Sequence, residues 1–278
     1  MENVLEKSIG IFDSGIGGLT VLKEIIRVLP AEQTIYLGDT ARVPYGTKSA
    51  ETIKRYALED AQFLIHQGIK LLVVACNTAS SISIPSLRDK LDIPIVEVIG
   101  PGAKKAAATT LLGKVGVIGT EATIKSDAYA NQIKSFNRDI EVISKACSLF
   151  VPLVEETWDD GDDASCLSEL KTIAVKRYLK ELKEKGIDTL VLGCTHYPLL
   201  KDTIDSFMGE EVKLIDSAEE TAEEVLKLIE GMKLRNHSTS KGHCKYFVTD
   251  APERFIKLGK RFLGTELEDV KQVEVKFL

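Results

Sequence analysis

One stretch of this chain occurs twice, and the repetition restricts the folds open to it more than any other feature. Gly68-Ile69-Lys70-Leu71-Leu72-Val73-Val74-Ala75-Cys76-Asn77-Thr78 returns as Gly186-Ile187-Asp188-Thr189-Leu190-Val191-Leu192-Gly193-Cys194-Thr195-His196. In each copy a polar, helix-like segment ends at a glycine. A branched apolar run follows, then a small residue, a cysteine and two polar residues. Apolar runs of this kind between helical segments read as parallel strands buried on both faces. Each cysteine then falls just past the carboxyl end of a central strand, where open α/β sheets hold their ligands.

A second echo widens the repeat: Ile9-Gly10-Ile11-Phe12-Asp13-Ser14 against Val115-Gly116-Val117-Ile118-Gly119-Thr120. The expected architecture is α/β, with two similar units of mainly parallel sheet related by an approximate two-fold axis and a site in the cleft between them. Besides the cysteine strands, strands are predicted over 9–12, 34–38, 93–99, 114–119, 140–144 and 212–215. Helices are predicted over 19–29, 51–67, 78–91, 102–111, 168–185 and 217–232. Pro85 should kink or divide its helix. Gly100-Pro101-Gly102 reads as a break where the chain crosses between units, and Ser217 through Glu220 fits a capping box. The acidic 159–163 segment reads as a surface loop, and 236–242 as a flexible one. Strands over 246–249 and 273–277, with a helix over 255–263, should return the tail to the first unit. The expected domains are 1–99 plus 217–278, a discontinuous first α/β domain, and 100–216, the second.

The net charge of −6 comes without a long Lys/Arg block, which argues against nucleic acid as a partner. No apolar run approaches the roughly 20 residues that span a bilayer, so no membrane is expected. Residues 1–8 are polar and do not resemble a signal peptide. The five cysteines form no CxxC and no close pair, which points to a reducing, cytoplasmic setting. Cys147, Cys166 and Cys244 read as inert core residues.

Cys76 and Cys194 differ because they recur in register at ligand-binding strand ends. A thiol at a helix start has its thiolate stabilised by local donors and the helix dipole. Two such groups across one ligand make an acid/base pair. One removes a proton from a carbon while the other delivers a proton to the opposite face, inverting the centre. If the substrate is an amino acid, the carbanion needs electrostatic relief. Ser14, Asn77, Thr78 and Thr195 are the available donors, with backbone N–H groups at the helix starts. Asp13 or Glu155 can face the ammonium or poise the neighbouring thiol, with Glu155 and Glu156 both open. His196 lies near enough to Cys194 to assist it. Tyr45 and Gly46, in a Pro-Tyr-Gly loop, can line the pocket. The turn Asp13-Ser14-Gly15-Ile16-Gly17-Gly18 suits an anion but is GxGG rather than GxGxxG, a weak dinucleotide signature. Cys76, Cys194, His196 and His243-Cys244 lack the local spacing of metal ligands, so no metal is expected. A cysteine phosphatase is disfavoured, because Ile82 and Leu200 stand where its arginine is required.

These stretches resemble the cofactor-independent glutamate racemases. The resemblance rests on Gly10 through Thr20, Asp39 through Gly46, Ala75-Cys76-Asn77-Thr78-Ala79, Val151 through Glu155, and Leu192-Gly193-Cys194-Thr195-His196-Tyr197-Pro198-Leu199. It implies interconversion of L- and D-glutamate without pyridoxal phosphate, supplying D-glutamate to bacterial peptidoglycan, commonly as a homodimer. By matching position it implies that Cys76 and Cys194 are the acid/base residues. Asp13 and His196 then assist them, with Glu155 a further polar partner. The resemblance also implies that Asp13-Ser14, Tyr45-Gly46, Asn77-Thr78 and Thr195-His196 contact the substrate. Two stretches depart from the family: 157–168 is longer and more acidic, and Gly100-Pro101-Gly102 replaces Glu-Pro-Gly. An aspartate or hydantoin racemase and a non-catalytic amino-acid binding protein are the alternatives.

Overall fold

The computed structural model describes residues 4–156 and 164–276, and within them every strand pairing is parallel. The strands are β1 (Ile9–Asp13), β2 (Thr34–Gly38), β3 (Leu71–Val74), β4 (Ile95–Glu97), β5 (Lys114–Gly119), β6 (Glu141–Ala146), β7 (Thr189–Gly193), β8 (Lys213–Asp216), β9 (Cys244–Val248) and β10 (Val270–Gln272). One sheet runs β10-β9-β2-β1-β3-β4 and the other β6-β5-β7-β8. The order β6-β5-β7-β8 is the order β2-β1-β3-β4 with each strand advanced by four. The internal repeat is therefore a repeat of topology, to which β9 and β10 add an extra edge on the first sheet.

β1, β2, β3 and β7 are buried along their whole length, as strands with both faces covered must be. Gly68 and Gly186, the glycines that open the duplicated stretch, lie at φ +78° and +69°. That left-handed turn lets the preceding helix stop and reverse into β3 or β7, and no side chain adopts it cheaply. The helix Leu19–Val28 buries Leu19, Leu22 and Ile25 and packs on the helix Ser217–Gly231. No helix among the described residues is long and apolar enough to cross a membrane.

Several local expectations are corrected. The helix Asn77–Lys90 runs through Pro85 undivided; one missing amide donor is outweighed by a face buried at Ala79, Ser83 and Leu87. Gly100-Pro101-Gly102 is not a break but the first turn of the helix Ile99–Thr109. A proline there forfeits no intrahelical bond, and the Glu97 carboxylate accepts from the Ile99 and Gly100 N–H groups at 2.6 and 2.8 Å. The strand expected over 93–99 shrinks to β4 accordingly. The cap of the helix Ser217–Gly231 is Asp216, which accepts from Ala218 N–H at 2.9 Å. Ser217 instead donates to the Leu192 carbonyl at 3.2 Å. The last strand lies at Val270–Gln272 rather than 273–277. The acidic 159–163 segment and the Cys166 side chain lie outside the described residues.

Candidate active site

The parallel register places four strand ends side by side in two pairs. Phe12 is opposite Val74 on β1 and β3, and Ile118 is opposite Leu192 on β5 and β7. Asp13-Ser14 and Cys76 therefore emerge together from one sheet, and Thr120 and Cys194 from the other. A cavity of about 410 Å³ lies between them, within the range that holds a single small ligand. Cys76 and Cys194 both line it and are 4% and 5% exposed. Ser14, Tyr45, Gly46, Asn77 and Thr78 line it from the first half, and Glu155, Thr195 and His196 from the second. Cys147 and Cys244 do not line it.

The two sulfurs have different surroundings. Cys76 precedes the helix Asn77–Lys90, where its Sγ accepts from Ala79 N–H and donates to Ser14 Oγ, both at 3.5 Å. Burial, with Asp13 adding to it, pushes the Cys76 thiol up to about 12 despite these donors. Cys76 thus rests as a thiol. Asp13 is itself buried; its Oδ2 accepts from Gly15 N–H at 2.9 Å, while its Oδ1 has no partner among the described residues. Burial raises its pKa above the ordinary aspartate value, partly offset by His196.

Cys194 is faced by an imidazole instead. His196 Nδ1 lies 4.0 Å from Cys194 Sγ and 3.4 Å from Thr195 Oγ1, and its Nε2 lies 2.9 Å from Glu155 Oε1. Burial opposes a charge on His196, yet the contacts with Cys194 and Glu155 outweigh it and raise its pKa to about 10. His196 is therefore an imidazolium at neutral pH, donating to Glu155. Burial likewise opposes ionisation of Glu155, but His196 and Arg254 overcome it and hold the carboxyl below its ordinary range. Arg254 reaches Glu155 at 3.2 Å and Glu156 at 2.9 Å. Of the two glutamates left open by the sequence, Glu155 is the one on the histidine. Glu156 is 61% exposed at its side chain and lines no part of the cavity.

Asn77 receives the Tyr129 hydroxyl on Oδ1 at 2.7 Å, and its Nδ2 has no partner among the described residues. Thr78 Oγ1 lies 2.9 Å from Thr120 Oγ1 and 3.3 Å from Thr123 Oγ1, so it joins the two halves. Tyr45 lines the cavity, but its hydroxyl is turned away, 2.5 Å from Asp39 and 2.9 Å from Asp60. Gly46 passes so near Thr120 that an added Cβ would meet that residue's Cβ at 3.0 Å. Sequence reasoning missed Thr120, Thr123 and Tyr129. The signal for Thr120 was present, because the second echo sets it opposite Ser14; nothing comparable marks the other two. Among the described residues no group of three His, Cys, Asp or Glu side chains is arranged to hold a metal ion.

The Asp/Glu/Hydantoin racemase family matches residues 9–225. A glutamate racemase of Geobacter metallireducens is 58% identical over 270 residues, 97% of each chain. Among solved structures, glutamate racemase isoform RacE1 of Bacillus anthracis is similar with a TM-score of 0.91 at 39% identity, covering 97% of this chain and 98% of that one. The Francisella tularensis glutamate racemase in complex with D-glutamate gives 0.87 at 40% identity, covering 98% of each.

Proposed function

The chain belongs to the glutamate racemases of the Asp/Glu/hydantoin racemase family, and from that premise we propose that it interconverts L- and D-glutamate with Cys76 and Cys194 as its two bases. The observation that carries this reading is that both sulfurs line one cavity, each from the end of the third strand of its own half. One thiolate takes the α-proton. The opposing thiol gives its proton to the other face of the carbon, so the product leaves with inverted configuration and the two cysteines have exchanged protonation states.

The surroundings support an asymmetric resting pair. A protonated His196 stands 4.0 Å from Cys194 Sγ, while Cys76 holds its proton. The same burial and carboxylate that keep Cys76 protonated make it a strong base once ionised, which the weakly acidic α-carbon requires. The substrate's carboxylate has Ser14, Thr195, the free Asn77 Nδ2 and the first N–H groups of the helix Asn77–Lys90 as donors. Asp13 does not line the cavity; its carboxylate, with Oδ1 unpartnered among the described residues, acts instead on the Cys76 thiol. No step requires pyridoxal phosphate. Supply of D-glutamate to peptidoglycan, the division 1–99 with 217–278 against 100–216, and a homodimeric assembly belong to the same proposal.

Incubation of the purified protein with L-glutamate, D-glutamate or L-aspartate, followed by circular dichroism, tests the assignment. Both glutamate enantiomers should converge on the racemate with or without added pyridoxal phosphate, while aspartate remains unchanged. Turnover of aspartate in preference to glutamate, or binding of glutamate with no turnover, contradicts it.

A further inference from the structure

Asn77 is one residue from Cys76, lines the cavity and is 2% exposed. A carboxamide presents a donor on one side and an acceptor on the other, and half a turn about its last bond exchanges them. Opposite a carboxylate oxygen, the NH2 group attracts and the carbonyl repels. Something must hold the correct face forward, and the residues flanking Asn77 in sequence do not do so.

The group that touches Oδ1 comes from the other half of the molecule. Tyr129, on the helix Ala128–Phe136, is 2% exposed and places its hydroxyl 2.7 Å from Asn77 Oδ1. Its ring lies against Gly193, the residue before Cys194, where an added Cβ would be 3.0 Å from Tyr129 Cε2. One side chain thus spans from the Cys76–Asn77 corner to the Gly193–Cys194 corner. We propose that Tyr129 is a positioning residue that fixes the Asn77 carboxamide with its NH2 group free for a substrate carboxylate. The independent sign is the Asn77 Nδ2 itself, a buried donor without a partner among the described residues while its own oxygen is satisfied. Buried donors are generally paired, with protein, water or a ligand. Burial raises the Tyr129 phenol well above its ordinary range, so the hydroxyl stays protonated and available as a donor. Because donor and amide belong to different halves, the amide is oriented only when the two halves are together.

The inference rests on the glutamate racemase reading, and its test separates the two. Tyr129→Phe removes one oxygen and keeps the ring against Gly193. With glutamate as substrate, KM should rise about tenfold, the value of a hydrogen bond to a charged group, with kcat changed less. In an Asn77→Ala background the same substitution should have no further effect. Equal losses in both backgrounds assign Tyr129 a packing role only and overturn the proposal. Absence of glutamate turnover by the unaltered protein would defeat the racemase reading instead. In that event the side-chain amide resonances of Asn77, assigned by their disappearance in Asn77→Ala, still decide the orientation. They should broaden or split in Tyr129→Phe as the amide turns between two states, and an unchanged pair overturns the proposal.

Discussion

Burial and the neighbouring Asp13 raise the proton affinity of the Cys76 thiol, and a protonated His196 stands beside Cys194. Folded His196 keeps its proton to about pH 10, whereas the ordinary imidazole loses it near 6.5. The stability it contributes is therefore full below 6.5 and declines as the pH rises to about 10. Its ring resonances should stay at imidazolium positions from pH 5.5 to 8.5, and Glu155→Gln should move the titration down; a midpoint near 6.5 in the unaltered protein contradicts the assignment. For Cys76, a shift from 9.0 to about 12 leaves on the order of a thousandfold less thiolate. Iodoacetamide followed by mass spectrometry should label Cys194 before Cys76. Asp13→Asn should speed labelling of Cys76, since it removes one of the two causes of that shift. These residues were legible in the sequence because the chemistry they carry is local to two repeated motifs. What could not be read was which glutamate joins them. Asp13 and Gly119 hold matching places in the repeat, and in the half that lacks an aspartate the fold sets Glu155 rather than Glu156 on His196.

At the level of elements, the glycine-rich turn after β1 is a contact surface between halves rather than a nucleotide loop. A Cβ on Gly17 would meet Thr195 Oγ1 at 2.2 Å and His196 Nδ1 at 2.5 Å, and Thr20 Oγ1 reaches the Thr195 carbonyl at 3.0 Å. Gly17→Ala must displace the imidazole or separate the halves. A displacement of about 1 Å in such a group costs on the order of a hundredfold in turnover. The variant should fold, as far-ultraviolet circular dichroism will check, and lose at least that much activity; near-normal activity contradicts the packing. The strands were legible because parallel strands buried on both faces are continuous apolar runs. Helix starts were less so. Pro101 and Ser217 carry the signals of a break and of a cap, but Glu97 and Asp216 supply the capping oxygens from the ends of strands. A side chain reaching forward from a strand competes with local sequence signals, and the fold decides between them.

Across the whole molecule, two sheets of the same strand order bring two cysteines to one cavity, and the contacts that close it cross between halves. Thr78 meets Thr120, Asn77 meets Tyr129, and Arg254 meets Glu155. The repeat made the paired sheets and the paired thiols foreseeable. It did not reveal the cross-contacts, because Tyr129 and Arg254 lie outside the repeated motifs and find their partners only through the packing of one half on the other. The central claim, one proton removed by one sulfur and another delivered by its opposite, is tested most directly by racemisation in deuterated water. Starting from either enantiomer, the first product formed should carry deuterium at the α-carbon while the unconverted substrate retains hydrogen. Product that keeps the substrate's own hydrogen, or undiminished racemisation by Cys76→Ser or Cys194→Ser, would contradict it.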